Sequence, residues 1–291
     1  MGLISGSLYI KMKGDEGMRD WFTVPEGETD EAHFTPEEFL AVRLQRLNLT
    51  PAQAAVPPTV LLTFQQEIAE QFVHETHARP AGNGFSFETS VPMWRGTLGG
   101  APVLIAKMPI GAAAATVAFE LLISCGARTF VMAGNAGSLT PDAPIGGIVV
   151  PTGALREEGV SYHYLPPDAE PTPDAELTDA LIAATEMRGR TARTGRVWTT
   201  DAIFREMGWK VRQYGASGIL AVEMELAALL AVSQVRGVRF GAALVISDEL
   251  YHPWRPGWHA DDYVAGRTLV ANIALDVAAA ANDDGGRRTK D

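Results

Sequence analysis

Apolar positions in this chain follow two alternating rhythms. Short apolar runs at 102–107, 129–133, 147–151 and 239–246, with a further candidate at 193–199, predict strands. Between and after them, helical periodicity predicts an Ala-rich helix at 112–124, helices at 174–187 and 223–235, and a long closing helix at 261–281. Such alternation predicts a single α/β domain on a mixed, mainly parallel sheet covered by helices on both faces. Upstream, Thr35-Pro36-Glu37-Glu38 has the form of a helix start with Thr35 as N-cap, opening a helix over 36–47. Pro51, Pro57 and Pro58 close that region. Residues 1–58 are therefore expected to form an N-terminal extension contacting a neighbouring subunit, 59–281 the body of the fold, and polar 282–291 a frayed tail.

Composition narrows the partners. With 291 residues, 46% of them hydrophobic, the chain has ample core for one large domain. A formal net charge of -11 argues against a sequence-independent grip on nucleic acid, which needs a basic face, and a small-molecule partner fits better. Cys125 is the single cysteine and sits in the apolar run 119–127, where a buried inert thiol is expected. His74 and His77 lie in a helix-like stretch without an HExxH pattern or acidic companions, so no metal site is expected. Residues 1–13 lack the apolar segment of a signal peptide, and no uninterrupted apolar run reaches the roughly 18 residues of a membrane span. The expected compartment is the cytoplasm, with no membrane partner.

Ligands of open parallel sheets bind beyond the carboxyl ends of the strands, so the polar residues there carry the chemistry. The run 129–133 leads into Gly134-Asn135-Ala136-Gly137-Ser138, read as a loop whose small residues let a ligand approach the backbone. Its spacing is not that of a dinucleotide fingerprint, and no GKS or GKT triplet marks a P-loop. The run 239–246 leads into Ser247-Asp248-Glu249, which places an acid at a strand end. In Val222-Glu223-Met224-Glu225 two carboxylates flank a methionine where the helix 223–235 should begin.

These stretches resemble the nucleoside phosphorylase family, which includes purine nucleoside phosphorylases, uridine phosphorylases and methylthioadenosine nucleosidases. The resemblance rests on Val222-Glu223-Met224-Glu225 and Ser247-Asp248. It extends to residues 134–139 and 145–150, to Arg156-Glu157-Glu158-Gly159 through His163, and to Thr199-Thr200-Asp201-Ala202-Ile203-Phe204-Arg205-Glu206. It runs in order from about 59 to 281 and is closest to the uridine phosphorylase branch. It implies cleavage of the N-ribosidic bond of a nucleoside, most directly by phosphorolysis with inorganic phosphate as co-substrate and no cofactor. Glu225 is implied to accept from the ribose 2′-hydroxyl, with Met224 packed on the sugar. Asp248, after Ser247, is implied to protonate or hydrogen-bond a leaving purine, and Ile203, Phe204, Val222 and Glu223 to line the base pocket. Gly111, Gly134, Asn135 and Ala136 are implied to surround the phosphate or water, and a homo-oligomer, trimer or hexamer, is implied as the assembly.

Two departures keep other readings open. After the Thr200 segment, Arg205-Glu206-Met207-Gly208-Trp209 lacks the Gln-x-Arg pair expected of a uracil site, so the Ser247-Asp248 pair points to a purine while the general flavour points to the uridine branch. Met132 stands where the family carries a phosphate-binding arginine, and no Gly-Asp-Pro-x-Arg loop lies near residues 60–64. Water could then replace phosphate, giving a nucleosidase, or Arg79, Arg95 or Arg156 could hold the phosphate. A nucleoside-binding protein without turnover is the third reading. Segment 251–259, with Trp254 and Trp258, is read either as a water-excluding lid or as an aromatic surface loop, and His163 as a pocket neighbour.

Overall fold

The computed structural model describes residues 32–83 and 91–288. Most of the proposed extension, residues 1–31, lies outside the described residues. Near the start, α1 (Pro36–Leu47) has its predicted bounds, and Thr35 and Glu38 form a reciprocal capping box. With α2 (Pro51–Ala54), α1 docks on its own chain: Leu40, Leu44 and Ala54 pack against Leu121 and Cys125.

The remaining elements are β1 (Thr59–Thr63), α3 (Gln66–Glu75), β2 (Arg79–Asn83), β3 (Pro92–Leu98), β4 (Ala101–Lys107), α4 (Ala112–Ser124), β5 (Thr129–Ser138) and β6 (Ile148–Glu157). They continue with α5 (Ala175–Met187), β7 (Ala192–Thr200), α6 (Gly208–Ala216), β8 (Ile219–Glu223), α7 (Leu226–Arg236), β9 (Arg239–Glu249), β10 (Arg255–Pro256) and α8 (Asp261–Arg288). Strand order is β10-β9-β6-β7-β8-β5-β1-β4-β3-β2, with an additional β9–β5 pairing. The sheet therefore closes on itself through β5, β9, β6, β7 and β8, while β1, β4, β3 and β2 extend it as an open wing. Closure is possible because β5, β6 and β9 are long and change partners along their length. The amino end of β6 pairs antiparallel with β9 at Ile148↔Val245, and the carboxyl end of β5 pairs antiparallel with β8 at Gly137↔Val222. Register shifts at Ala136/Gly137, Pro151/Gly153 and Arg196/Val197 add the local twist that such bending needs.

Side chains alternate between two cores across this sheet. One face carries Val60, Leu62, Phe130, Met132 and Leu104 under α4 and α7, with Phe119 packed on Phe130 at a ring-centroid distance of 4.4 Å. The other carries Leu61, Val131, Ala133 and Ile105 under α3, α5 and α8. By length and composition Asp261–Asn282 is apolar enough to cross a membrane, yet Val270, Ala271, Ile273, Ala274, Val277 and Ala278 are buried in this second core.

Three expectations change. Residues 134–137 belong to β5 and form no loop. Gly134 and Gly137 sit close to neighbouring side chains: a Cβ on Gly137 would lie 2.5 Å from Leu250 Cδ1, and one on Gly134 would lie 3.0 Å from Met132 Cε. The helix expected from 223 starts at Leu226, because Glu223 ends an unpredicted strand, β8. The closing helix passes its expected end at Ala281 and continues to Arg288.

Candidate active site

Closure of the sheet gathers strand ends that are distant in sequence. Gly137 of β5 faces both Val222 of β8 and Asp248 of β9, and Thr199 of β7 faces Glu223 of β8. The motifs carrying the resemblance thus meet at one end of the closed sheet.

Glu223 is buried there and held by the protein itself. It accepts from the Thr199 hydroxyl and, at 2.7 Å each, from the N–H groups of Glu225 and Leu226. Two of those donors are first-turn amides of α7, which a carboxylate satisfies particularly well. Thr199 Oγ1 in turn accepts from the Ala227 N–H at 2.9 Å. The pair therefore clamps the β8–α7 turn, with Met224 half-buried between the two glutamates.

Glu225 occupies the N-cap position of α7 and is also buried. Its Oε1 accepts from the Gly111 N–H at 2.6 Å. Gly111 is the N-cap of α4 and sits at φ +98, a conformation that glycine adopts without strain, so that its N–H meets the carboxylate. Two residues expected in different subsites are thus in direct contact. Burial pushes the Glu225 carboxyl up from the usual 4.5, and the charges of Glu223 and Asp201 push it further. Burial likewise raises Glu223, against the three hydrogen bonds that lower it.

Asp248 sits at the third strand end. Its Oδ1 accepts from Ser247 Oγ at 2.7 Å and its Oδ2 from the Trp254 indole N–H at 2.9 Å. Ser247 also donates to the Ala136 carbonyl at 3.2 Å, which ties β9 to β5. Beside it lies a group that sequence reasoning left without a role: Glu206, half-buried, has its carboxyl pushed up to about 7 by burial and by the Asp248 charge. Nothing in the local pattern around Glu206 marks it, since its neighbour is 42 positions away in sequence (248 − 206).

The aromatic segment after Asp248 folds back as a hairpin, with β10 pairing Arg255↔Glu249 and the Gly257 N–H donating to the Ser247 carbonyl at 2.9 Å. Trp254 and Trp258 meet edge to face at 5.6 Å and remain about half exposed, 58% and 46%. Ile203 and Phe204 lie on a short turn before Glu206 and are exposed, Phe204 at 95%. Val222 and Ala136, expected at the base and phosphate, are buried packing residues.

The expected phosphate arginines are elsewhere. Met132 is buried in the core under α4. Arg156 donates to Ser161 Oγ and to the carbonyls of Leu165, Pro166 and Ala169, and it stacks on Tyr162, so it anchors the loop that also carries His163. Arg95 donates to the Ala55 carbonyl, and Arg79 lies on edge strand β2. Asn135, within β5, accepts from the side chain of Gln65, the residue before α3.

A partly closed α/β sheet with buried carboxylates at converging strand ends is the architecture of an enzyme acting on a small molecule. Residues 60–280 match the family model described as the Phosphorylase superfamily, and the chain belongs to that family. Over 163 residues it is 31% identical to a guanosine phosphorylase of Halorubrum lacusprofundi, covering 56% of this chain and 68% of that one. A uridine phosphorylase of Treponema pallidum is 33% identical over 192 residues, covering 62% of this chain and 72% of that one. A uridine phosphorylase of Escherichia coli is 30% identical over 162 residues, covering 51% of this chain and 64%, under two thirds, of that one. A crystal structure of purine nucleoside phosphorylase from Toxoplasma gondii with immucillin-H has the same fold. Its TM-score is 0.72 at 20% identity, over 80% of this chain and 94% of that one.

Proposed function

We propose that this protein cleaves the N-ribosidic bond of a nucleoside by phosphorolysis, releasing the free base and ribose 1-phosphate. The observation that carries the reading is the buried Glu225 carboxylate on the Gly111 N–H, one strand end from Asp248. A phosphate oxygen attacks C1′ while the C1′–N bond breaks and its electron pair leaves with the base. Positive charge grows on the sugar and negative charge on the base. Glu225 accepts from the 2′-hydroxyl and stabilises the sugar charge, with Met224 packed against the ring. Glu223 acts on Glu225 through the backbone and is a positioning residue.

At the base, Asp248 is oriented by Ser247 and Trp254, and Glu206 keeps a proton available near neutral pH. A purine suits this end, because two carboxyl groups suit a base with N–H edges and a ring nitrogen that takes up a proton. Trp254, Trp258, Phe204 and Ile203 form an apolar rim for its faces. The reading needs phosphate and no further cofactor. The protein works as a cytoplasmic homo-oligomer, with the exposed side of α1, including Val42 and Leu47, offered to a neighbouring copy.

The test is a panel of purine and pyrimidine nucleosides incubated with and without phosphate and assayed for free base and ribose 1-phosphate. Purine release that rises with phosphate is expected. Release independent of phosphate, or no release from any nucleoside, overturns the reading.

A further inference from the structure

The phosphate subsite proposed above lacks its expected arginine, because position 132 is a methionine turned into the core. The opposite face of the same sheet holds a cation. Lys107 is the last residue of β4, and β1 pairs with β4 at Thr63↔Lys107 and with β5 at Leu62↔Met132. Register partners in neighbouring strands point to the same face. Ile105, Leu61, Val131 and Ala133 all belong to the core under α3 and α8, so two-residue alternation puts Lys107, Thr63 and Asn135 on that side. Thr63 donates to Gln65 Oε1 at 3.3 Å, and Gln65 donates to Asn135. Lys107 at the end of β4 and Thr63 at the end of β1 thus share a face with Asn135 of β5, and Gln65 links Thr63 to Asn135.

Lys107 also differs from other shielded cations of this chain. Arg156 is held by four acceptors, Lys210 by Glu157, Arg239 by Asp174 and Glu176, and Arg267 by Glu67. Lys107 is half-buried and has neither an ion pair nor a hydrogen bond among the described residues. The N-cap of α3, Gln65, makes no side-chain capping bond to its helix. A half-buried lysine without a counter-charge, on the sheet face that also carries amide side chains, is suited to a small oxyanion.

We infer that Lys107 supplies the positive charge for inorganic phosphate in this protein, with Asn135 and Gln65 as neutral donors, in place of the arginine absent at position 132. This rests on the phosphorolysis reading. It places the anion at the ends of β1 and β4 beside Asn135 of β5, and Lys107 acts on phosphate alone.

The experiment measures initial rates with phosphate and nucleoside each varied, for the wild type, Lys107→Met and Lys107→Arg. The expected result is a KM for phosphate raised tenfold to a hundredfold in Lys107→Met and largely restored in Lys107→Arg. The KM for the nucleoside should stay within about threefold. Phosphate should also raise the Tm of wild type and Lys107→Arg more than that of Lys107→Met; if Lys107→Met does not fold, Lys107→Gln replaces it. A phosphate-dependent wild type with an unchanged phosphate KM in the charge-free variant overturns the inference and leaves the phosphorolysis reading standing. A phosphate-independent wild type overturns both.

Discussion

Glu225→Gln separates the charge of the proposed ribose site from its shape. The wild-type carboxyl is 5% exposed, accepts from Gly111 at 2.6 Å, and lies two positions from Glu223, which already takes three donors. Burial first, then the charges of Glu223 and Asp201, raise its pKa above the usual 4.5. A carboxyl raised on folding costs nothing below its unfolded pKa, because it is then protonated in both states. The cost grows as pH climbs from there to the folded value, and above that it is complete. Glutamine keeps an acceptor for Gly111 and removes the cost. The variant should therefore gain about 1–3 kcal/mol at pH 8, of order 2–10 °C in Tm, and the gain should vanish towards pH 4.5. Activity should move the other way. Losing the anionic acceptor for the 2′-hydroxyl and the charge facing the sugar cation should lower kcat/KM by about 10²–10³-fold. Thermal melts from pH 4.5 to 9 and phosphorolysis rates on the same samples check both halves. A Tm difference that does not change with pH would refute the electrostatic reasoning, and full activity would refute the ribose role.

Three other substitutions probe the rest of the site. Asp248→Asn should lower purine turnover about a hundredfold or more while nucleoside affinity, measured by calorimetry, changes little; unchanged turnover removes the acid role. Glu206→Gln should flatten the pH dependence of the rate near 7 and raise Tm above that pH but not near pH 4.5, since the Glu206 carboxyl is raised to about 7. Both readouts come from one pH series. Gly137→Val should cost about 1–3 kcal/mol in urea unfolding and reduce activity, because even a Cβ would press on Leu250 and lie 3.4 Å from Asp248 Oδ2; a fully active, stable variant would show that β5 has slack there.

Much of the architecture was legible because its signals are local. The helices at 36–47 and 112–124 have their expected bounds and Thr35 is the N-cap read from the sequence, while the helix expected from 174 starts one residue later because Asp174 is its N-cap. What escaped was set by distant pairing. Gly134-Asn135-Ala136-Gly137 has the composition of a turn, but β9 and β8 pair along it, and a Cβ at 137 would press on Leu250. Ile219–Glu223 is short and follows Gly218 at positive φ; without knowledge that β7 and β5 flank it, its glutamate looks like part of the next helix. The site divided in the same way. Glu225, Gly111 and Asp248 lie in contiguous motifs that the sequence singles out, whereas the contact of Glu225 with Gly111 across 114 positions, and the approach of Glu206 to Asp248, exist only after the sheet closes.

The treatment of charge shows why a position-by-position comparison misleads here. Met132 invited the conclusion that phosphate has no cationic holder. In the structure its side chain packs with Val60, Leu62 and Leu104 under α4, where an arginine would need a counter-charge. The chemical requirement belongs to the end of the sheet rather than to one residue. Met132 registers with Leu62 and Lys107 with Thr63, so the proposed cation has changed both strand and face and meets a small anion only beyond the ends of β1 and β4. The proposed ribose end has no such freedom. Glu225 is held by an amide of α4 and by the turn that Glu223 clamps, so moving it means rebuilding two helix starts. A carboxylate fixed by backbone geometry therefore stays legible in sequence, whereas a long, flexible cation that needs only proximity to its anion does not.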